Sequence, residues 1–395
     1  MTRTPHPSER LVRRKGIALG GAMLGCLMAV VLVAPAAIAK PKTAVSAQSG
    51  SLQKSVDRLV AAGVPGAILV VREGKRAIRI SSGLGNVGNQ TPMRPGDRFR
   101  IASQTKTYVA TLILQLVGEG KLRLSDSVER HLPGLVPNGQ GITIRQLLNH
   151  TSGLFDYEND PRVFAPYLNG DLAHYWPPRK LVEIAVSHDP LFAPGARQLY
   201  SNTNYILAGL IVTTVKGHSL RAELSRRIFR PLHLHRTTFP TRPGIAGAHA
   251  HGYFIVGSPP ATDITEIRPF VWAAGAIVST AADDLSFYRA LLSGRLLRAD
   301  LLRAMKTTVP VKNAPAGSGY GLGLTRSATS CGRVAWGHDG AFGGYYSLSY
   351  SSNSGQRQAM LMVNLDQTSW TKRVSTLFYK IIDKAYCAAF KPGNP

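Results

Sequence analysis

The sequence predicts an α/β protein of the α+β kind. One antiparallel sheet is built from both chain ends, is flanked by helices, and carries an inserted, mostly helical lobe. Strand-like runs occur near both ends of the chain, while residues 120–265 are rich in helix-like segments and proline-containing loops. The length of 395 residues suits two packed lobes. Bringing the two sets of strands into one sheet is the simplest way to bury their apolar faces.

The first strands and the first core helix are read from residue spacing. The apolar runs 67–72 and 76–82 surround Glu73-Gly74-Lys75 and predict a β-hairpin. From Ser103 to Gly118, apolar residues recur every three to four positions, which is typical of a buried helix.

The C-terminal part returns to strands and ends in a helix. Thr280 and Asp283 resemble a capping box that opens a helix through Leu292. Residues 343–351 and 356–365 are β-rich, and apolar residues of 374–385 mark one face of a final amphipathic helix. We therefore predict a catalytic domain over 51–390, with its α/β part at about 51–98 and 268–390 and its helical lobe at about 99–267.

The first forty residues indicate export. A basic head precedes the uncharged apolar run 17–34, and Ala37-Ile38-Ala39 offers small residues for cleavage. We expect residues 1–39 to be a signal peptide cut after Ala39, and residues 40–50 to form a flexible leader. The mature protein is then periplasmic or secreted. An uncleaved membrane anchor is the alternative.

Charge and cysteine content restrict the partners and the compartment. The formal net charge is +25, yet no run of five or six basic residues occurs, which disfavours a nucleic-acid arm and favours an anionic cell envelope as neighbour. Cleavage leaves Cys331 and Cys387, which could pair in an oxidising compartment or remain two buried thiols.

A candidate nucleophile lies at the start of the first core helix, in the stretch RIASQTKTYVATL. Ser103 and Lys106 are three residues apart and therefore share one helix face. A serine hydroxyl needs a neighbour that accepts its proton, and a lysine with a lowered pKa is able to do so. The simpler interpretation makes Ser103 a helix cap and Lys106 a solvated lysine.

Three further stretches follow in order along the chain. They are LLNHTSGL at 147–154, Tyr200-Ser201-Asn202, and His338-Asp339-Gly340-Ala341 before a β-rich run. Together with Ser-x-x-Lys they resemble the serine β-lactamase and penicillin-binding protein family, in its branch of class C β-lactamases, DD-peptidases and related esterases. The resemblance runs from about Gly63 to Leu365.

The resemblance implies roles for the first two motifs. Ser103 would be the acylated nucleophile, and Lys106 would hold and deprotonate it. Tyr200 would relay a proton to the leaving group, as a phenol whose pKa nearby cations lower. Asn202 would bind the acyl amide of the substrate; by itself it could equally cap the following helix.

The resemblance also implies roles for the third motif. His338 would supply a donor or a positive charge at the sheet edge, and Gly340 would let the substrate backbone approach closely. The N–H groups of Ser103 and Ala341 would form the oxyanion hole. Asp339 stands where a hydroxyl residue commonly helps bind a substrate carboxylate, so an acid there would repel that group unless it faces away or pairs with an arginine.

With the export signal, the resemblance implies an exported serine hydrolase with a covalent acyl-enzyme, first of all a D-alanyl-D-alanine carboxypeptidase-like enzyme acting on cell-wall peptides. A β-lactamase or an esterase of the same fold is the alternative, and a non-catalytic protein that binds peptidoglycan or β-lactams is the rival of another class. The chemistry needs no cofactor, and no metal is expected, since nothing completes a site near the two His-x-His pairs. The family places His150 and Ser152 in a structural loop. The sequence indicates no oligomeric state.

Overall fold

A computed structural model describes residues 44–255 and 260–388. The predicted signal peptide, residues 1–39, lies outside the described residues. Within the described ranges, no helix is both long enough and apolar enough to cross a membrane.

Thirteen strands and twelve α-helices are described. The strands are β1 (Gly66–Glu73), β2 (Arg76–Asn86), β3 (Thr91–Pro92), β4 (Phe99–Arg100), β5 (Tyr253–Phe254), β6 (Thr262–Asp263), β7 (Val278–Ser279), β8 (Gly319–Tyr320), β9 (Thr325–Ala328), β10 (Val334–Gly337), β11 (Asp339–Phe342), β12 (Tyr345–Ser351) and β13 (Arg357–Val363). The helices are α1 (Ala44–Val60), α2 (Thr105–Gly118), α3 (Val128–His131), α4 (Ile144–Leu148), α5 (Pro161–Leu168), α6 (Pro178–Val186), α7 (Thr203–Lys216), α8 (Leu220–Leu224), α9 (Trp272–Gly275), α10 (Ala281–Leu292), α11 (Ala299–Lys306) and α12 (Lys372–Cys387). Short 3-10 turns span Ala102–Gln104, Gly139–Gly141, Tyr157–Asn159 and Gln367–Ser369, and a π-helical turn spans Ser225–Phe229.

The main sheet joins the two chain ends, as predicted. Its strand order is β3-β2-β1-β13-β12-β10-β9-β8, with β11 paired to β12 beside β10. The N-terminal hairpin meets the C-terminal strands where β1 runs antiparallel to β13, with Ala67 opposite Val363. The predicted hairpin is confirmed, because β1 and β2 pair across the turn at Gly74.

Alternation along β1 divides the core into two layers. Ile68 and Val70 face the helical lobe and α10, whereas Leu69 and Val71 face the layer formed by α1 and α12. Both layers are fully apolar at these positions, so β1 is buried on both faces. The sheet is therefore the middle of three layers, and α2 with its neighbours supplies the lobe that carries the candidate nucleophile.

The expectation of a flexible leader over residues 40–50 is wrong for residues 44–50, which are helical. Residues 40–43 lie outside the described residues. Helix α1 already begins at Ala44. Its Leu52, Val56 and Leu59 form a buried stripe against the layer of α12 and the sheet. The side-chain amide of Gln48 donates to the carbonyl of Ala388, which holds the first turns of α1 against the end of α12. Packing of the stripe, rather than local composition, extends the helix.

The capping box expected at Thr280 forms only in part. The Thr280 hydroxyl accepts from the Asp283 N–H, as a helix cap should. The Asp283 carboxylate does not return the bond; it accepts instead from the N–H of Arg236 and the hydroxyl of Thr237. Asp283 thus ties α10 to the preceding loop, a tertiary contact that the local pattern does not contain.

Cys331 and Cys387 form a disulfide, which decides between the two interpretations of these cysteines. The bond links the turn between β9 and β10 to the last residue of α12, across a sequence separation of 56 residues. Loop closure of this size contributes about 4 kcal/mol to the free energy of unfolding. The C-terminal helix is thereby fastened to the strand pair that borders the third motif.

One carboxyl group in the core has no charged partner. Asp284 on α10 is fully buried, and its Oδ1 accepts from the Tyr108 hydroxyl at 2.9 Å, while Oδ2 has no partner among the described residues. Burial raises the pKa of Asp284 to about 7. The folded state thus favours the protonated form of Asp284. The contribution of this group to the free energy of unfolding is fully present below the unfolded pKa near 4 and is lost as the pH rises through 7.

We expect Asp284→Asn to melt at a higher temperature than the wild type at pH 8, with the difference shrinking towards pH 5. The amide cannot ionise, and its oxygen still accepts from Tyr108. Melting temperatures of the variant and the wild type, measured between pH 5 and pH 8, test this expectation. Asp300→Asn is the control: Asp300 is exposed, and its contact with Arg298 lowers its pKa, so it is ionised in the folded and the unfolded state between pH 5 and pH 8 and should show no such pH-dependent difference. A constant offset for Asp284→Asn at all pH values would contradict the expectation.

Candidate active site

Ser103 lies on a tightly constrained turn between a strand and a helix. Strand β4 pairs with β7, and the 3-10 turn from Ala102 then leads directly into α2. Ala102 has φ 48°, a left-handed conformation that is strained for a residue with a Cβ. Ser103 makes no cap bond and remains partly exposed. The cap interpretation of Ser103 is therefore wrong, and its hydroxyl is available for chemistry.

The Lys106 amine has three polar neighbours. Its Nζ lies 2.9 Å from Ser103 Oγ, 2.7 Å from Asn202 Oδ1 and 2.8 Å from the carbonyl oxygen of Ala274. The two carbonyl oxygens only accept hydrogen bonds. A neutral amine with two hydrogens must give both to them, so its lone pair points at the Ser103 hydroxyl. The geometry prepares Lys106 to accept the Ser103 proton.

Burial makes the neutral form of Lys106 accessible. The side chain is fully buried, which excludes a solvated lysine. Burial lowers the pKa of Lys106 to about 8, and the negative charges of Glu158, Asp156 and Asp339 limit the fall. A useful fraction of Lys106 is thus unprotonated near neutral pH.

Asn202 orients Lys106. Its Oδ1 accepts from Lys106, and its Nδ2 donates to Asp156 Oδ2 at 3.0 Å. It makes no cap bond to α7, so the capping interpretation is wrong. The carboxylate sets which end of the amide faces the lysine. The expected contact between Asn202 and the substrate amide stays a prediction, because the side chain is already engaged at both ends.

Tyr200 lies beside Lys106 and Ser103, but its expected pKa shift is wrong, and its role as a proton relay stays a prediction. The Lys106 Nζ lies 4.8 Å from the centre of the Tyr200 ring, next to Ser103. Burial raises the pKa of the phenol well above its ordinary value. The charges of Asp339, Glu158 and Asp156 raise it further, against the interaction with Ser103. Burial and the carboxylates together outweigh the hydrogen bond with Ser103, so Tyr200 is held as a protonated phenol.

His338 is neutral, contrary to the expected positive charge. It is buried, and burial lowers its pKa. Its Nδ1 lies 2.6 Å from the Asp339 carbonyl oxygen, which only accepts, so Nδ1 carries the hydrogen. Its Nε2 then accepts from the Tyr320 hydroxyl at 2.8 Å. With both nitrogens engaged, His338 shapes the start of β11 rather than offering a donor to a substrate.

Gly340 permits a close approach of the protein's own chain, while the expected approach of a substrate backbone stays a prediction. A side chain at Gly340 would collide with the carbonyl of Ile101 and would come within 2.9 Å of the Ser103 nitrogen. The protein's own nucleophile segment therefore packs against β11 at this point. Without a glycine here, Ser103 could not reach the strand edge.

The register of β11 places the Ala341 N–H at that same edge. Ser349 donates to the carbonyl of His338, so hydrogen-bonded pairs with β12 recur at every second residue from His338. Ala341 falls between these pairs, and its N–H points away from β12 to the side occupied by Ser103. Ser103 N–H lies in the first turn of its helix, where such groups lack helical partners. The Ser103 nitrogen packs against Gly340, the neighbour of Ala341, and the oxyanion hole formed by the two N–H groups stays a prediction.

Asp339 faces away from Ser103. It pairs with Leu348, which packs in the layer of α12, whereas Gly340 pairs with Ser347 on the nucleophile side. The Asp339 Oδ2 accepts from the Tyr346 hydroxyl at 3.1 Å, and no arginine or lysine of the described residues pairs with it. Its charge nevertheless acts on Lys106 and Tyr200.

The LLNHTSGL loop supports the site from behind. His150 is fully buried, and its Nδ1 accepts from the Ser201 N–H and the Asn204 side chain. Ser152 donates to Asn204 Oδ1, and the His150 ring stacks 4.3 Å from Tyr200. His150 and Ser152 fix Tyr200 and the start of α7, as a structural loop would.

The sequence interpretation missed the acidic residues and one phenol. Asp156 and Glu158 follow the LLNHTSGL loop in the run FDYEND. This acidic run is visible in the sequence, but its residue spacing matches no known motif that would place it at the site. Burial and the charge of Asp156 raise the pKa of Glu158 to about 8. Tyr320, which orients His338, stands in a short strand with no motif around it.

Known structures with the same fold include two amide-hydrolysing enzymes. A D-stereospecific amidohydrolase from Streptomyces sp. matches with a TM-score of 0.77 and 36% identity, over 84% of this chain and 98% of that one. The D-amino acid amidase from Ochrobactrum anthropi SV3, complexed with L-phenylalanine amide, matches with a TM-score of 0.76 and 29% identity, over 86% and 97%.

Two curated relatives come from Bacillus subtilis and Staphylococcus aureus. The putative penicillin-binding protein PbpX of Bacillus subtilis is 27% identical over 332 residues, which are 84% of this chain and 78% of the relative. Protein flp of Staphylococcus aureus is 33% identical over 235 residues, or 57% of this chain; this match spans only 45% of the length of flp.

The family assignment rests on most of the chain. The family model named Beta-lactamase matches residues 52–378, a range that holds every motif described above. The mixed fold, the Ser103–Lys106 pair and the amidohydrolase-like neighbours agree with it. The chain belongs to the Beta-lactamase family and is a serine hydrolase of the fold shared by serine β-lactamases and penicillin-binding proteins.

Proposed function

We propose that the chain hydrolyses amide bonds of D-amino-acid derivatives that carry a free ammonium group, through an acyl-enzyme on Ser103. One observation carries this proposal. Asp156 and Asp339 act together on the Lys106 site, and no arginine or lysine of the described residues forms a salt bridge with either of them. A site with this surplus of negative charge attracts a cation and repels a carboxylate.

The neighbours support the same substrate class. The two solved enzymes with the same fold act, by their titles, D-stereospecifically on amides or on D-amino acid amides. Both cover nearly the whole of their own length in the match, so their resemblance includes the site. Stereospecificity for the D form is carried over from these two enzymes and belongs to the proposal.

The acylation step follows from the contacts of Lys106. The neutral amine removes the Ser103 proton while Oγ attacks the substrate carbonyl carbon. The resulting oxyanion lies between the N–H groups of Ser103 and Ala341. Tyr200, kept protonated, gives its proton to the leaving nitrogen, and the lysine ammonium restores that proton to the phenolate. Water then hydrolyses the ester at Ser103 by the reverse use of the same groups.

A D-alanyl-D-alanine carboxypeptidase acting on cell-wall peptides is the second candidate. The match to a putative penicillin-binding protein over 84% of the chain favours it, and so does the turn of Asp339 away from Ser103, which removes a direct clash with a carboxylate. The negative charges of Asp156 and Asp339 disfavour it. Peptidoglycan is the partner that this candidate requires, and a β-lactam would then be a slow substrate.

We also propose that the protein is exported and works in the periplasm or outside the cell. The basic head and apolar run of residues 1–39 support this, and the Cys331–Cys387 disulfide is the kind of bond that persists in an oxidising compartment.

The mechanism predicts an acid limb in the pH profile. With an N-acetylated amide, which has no titrating amine, we expect kcat/KM to rise between pH 6 and pH 9 with an apparent pKa near 8, because Lys106 must lose its proton before it activates Ser103. The free amine of the preferred substrate loses its own proton near pH 8 and would obscure this limb. Glu158→Gln should move this limb to lower pH, since the negative charge of Glu158 raises the pKa of Lys106. Steady-state kinetics in constant ionic strength measure both. A limb unchanged by Glu158→Gln would contradict the electrostatic role of Glu158.

The proposed substrate predicts a preference for a free amine. We expect kcat/KM for a D-amino acid amide to exceed that for its N-acetyl derivative about tenfold or more, because one retained charge–charge contact is worth about 1.4 kcal/mol. The L-amide should be poor. Ser103→Ala is the control and should remove all turnover while leaving the thermal melt nearly unchanged.

A different result would select the second candidate. If an N-acetylated peptide ending in D-Ala-D-Ala is cleaved faster than any amide with a free ammonium, the carboxypeptidase proposal replaces the first. Intact mass after incubation with a penicillin supplies an independent readout: a lasting adduct on Ser103 accompanies the carboxypeptidase, and loss of the drug without an adduct indicates a β-lactamase.

Export predicts a specific mature terminus. Protein recovered outside the cytoplasm of the native host should begin at Lys40, after loss of 39 residues, and should show no free thiol before reduction. Intact mass and N-terminal sequencing test this. A chain that keeps Met1 contradicts cleavage and indicates an anchored or retained protein.

A further inference from the structure

Two neighbouring cavities lie at the end of the sheet where β1 turns into β2 and β12 turns into β13. The first has a volume of about 470 Å³ and is lined by Arg72, Arg289 and Arg295 among others. The second has a volume of about 810 Å³ and is lined by Arg303 and Lys306. Ser293 and Gln356 line both cavities, so the two form one groove, called here the basic groove.

The groove holds five cations and no acid. No aspartate or glutamate lines either cavity. The carboxylates on the elements around it are engaged elsewhere: Glu73 pairs with Arg357, Asp300 pairs with Arg298, and Asp283 accepts from Arg236. The positive charge of the groove is therefore not compensated within the part of the chain that the structure describes.

Two guanidinium groups and the lysine of the groove are held in place by uncharged partners. Arg72 is half-buried and donates to Ser286 at 3.2 Å, while Arg289 donates to the carbonyl of Gly74 and to Gln356 Oε1. Lys306 donates to both oxygens of Asn353. Burial and the like charges of Arg289 and Arg79 lower the pKa of Arg72. Like charges held this close repel one another, and a bound anion would relieve the repulsion.

The shape of the groove restricts the kind of anion. Two adjoining cavities suit a thin chain that places successive negative groups in each. Duplex DNA is a rigid cylinder whose phosphates cannot enter such recesses together, and no aromatic side chain lines either cavity to stack a base. Arginines and serine hydroxyls are the donors that phosphate oxygens prefer.

We infer that the basic groove binds a flexible phosphodiester polymer that lacks bases. The groove is separate from the hydrolase site. Gly340 at that site pairs with Ser347, and the chain from Ser347 to Asn353 at the groove extends about 20 Å along β12 and its turn. Binding there would hold the enzyme on a phosphate-rich polymer while leaving Ser103 open, and it does not depend on which amide is cleaved.

The test compares two triple variants of equal charge. Arg72→Gln, Arg295→Gln and Arg303→Gln remove three cations from the groove. Arg58→Gln, Arg179→Gln and Arg373→Gln remove three exposed cations from α1, α6 and α12. The probe is an oligomer of poly(glycerol phosphate), with binding measured by calorimetry at low and physiological salt. Melts and turnover of a small substrate check that both variants are folded.

We expect the groove variant to lose about tenfold or more in affinity and to show a shallower salt dependence, since fewer counterions are released. The control variant should stay within about twofold of the wild type. Equal losses in the two variants, or no binding by the wild type, would overturn the inference. So would tighter binding to duplex DNA of matched phosphate number, or binding only to phosphatidylglycerol vesicles, because either result would assign the groove to another partner.

Discussion

The active site depends on one buried amine. Lys106 lies in an apolar interior where a permanent ammonium would be costly, and its three neighbours come from three separate elements: the turn before α2, the start of α7 and the end of α9. Each neighbour restricts where the hydrogens of the amine can lie. The helical lobe must therefore pack correctly before Ser103 has a base, which links the stability of the lobe to the reactivity of the nucleophile.

Electrostatic balance around this amine explains the other groups. Burial lowers the pKa of the cationic groups, so His338 and His150 are neutral and Lys106 is partly so. The carboxylates Asp156 and Glu158 oppose that trend for Lys106 and keep Tyr200 protonated. Near neutral pH, the proton acceptor Lys106 thus lies beside the proton donor Tyr200, and different interactions determine the pKa of each.

Charge is unevenly distributed over the protein. The chain carries a net charge of +25, yet the site around Ser103 is acidic and the basic groove lies at another end of the sheet. The net charge of the chain and the local charge at the active site therefore predict different partners. Net charge describes the long-range attraction of the whole molecule to anions, whereas a substrate at Ser103 is influenced mainly by the nearby charges of Asp156 and Asp339.

The sequence by itself determined the family, the sheet built from both ends and the order of the motifs. Ser103 and Lys106 needed only helical spacing, and the hairpin at Gly74 needed only two apolar runs and a turn. Tertiary structure decided what depends on distant neighbours. The helix at Ala44 requires packing on α12, the pairing of Cys331 requires the end of α12, and the role of Asp339 requires the sheet face to which β11 turns it. The protonation of Tyr200 and His338 also belongs here, because burial and charges from remote segments set a pKa, and neither is written in the residues beside them.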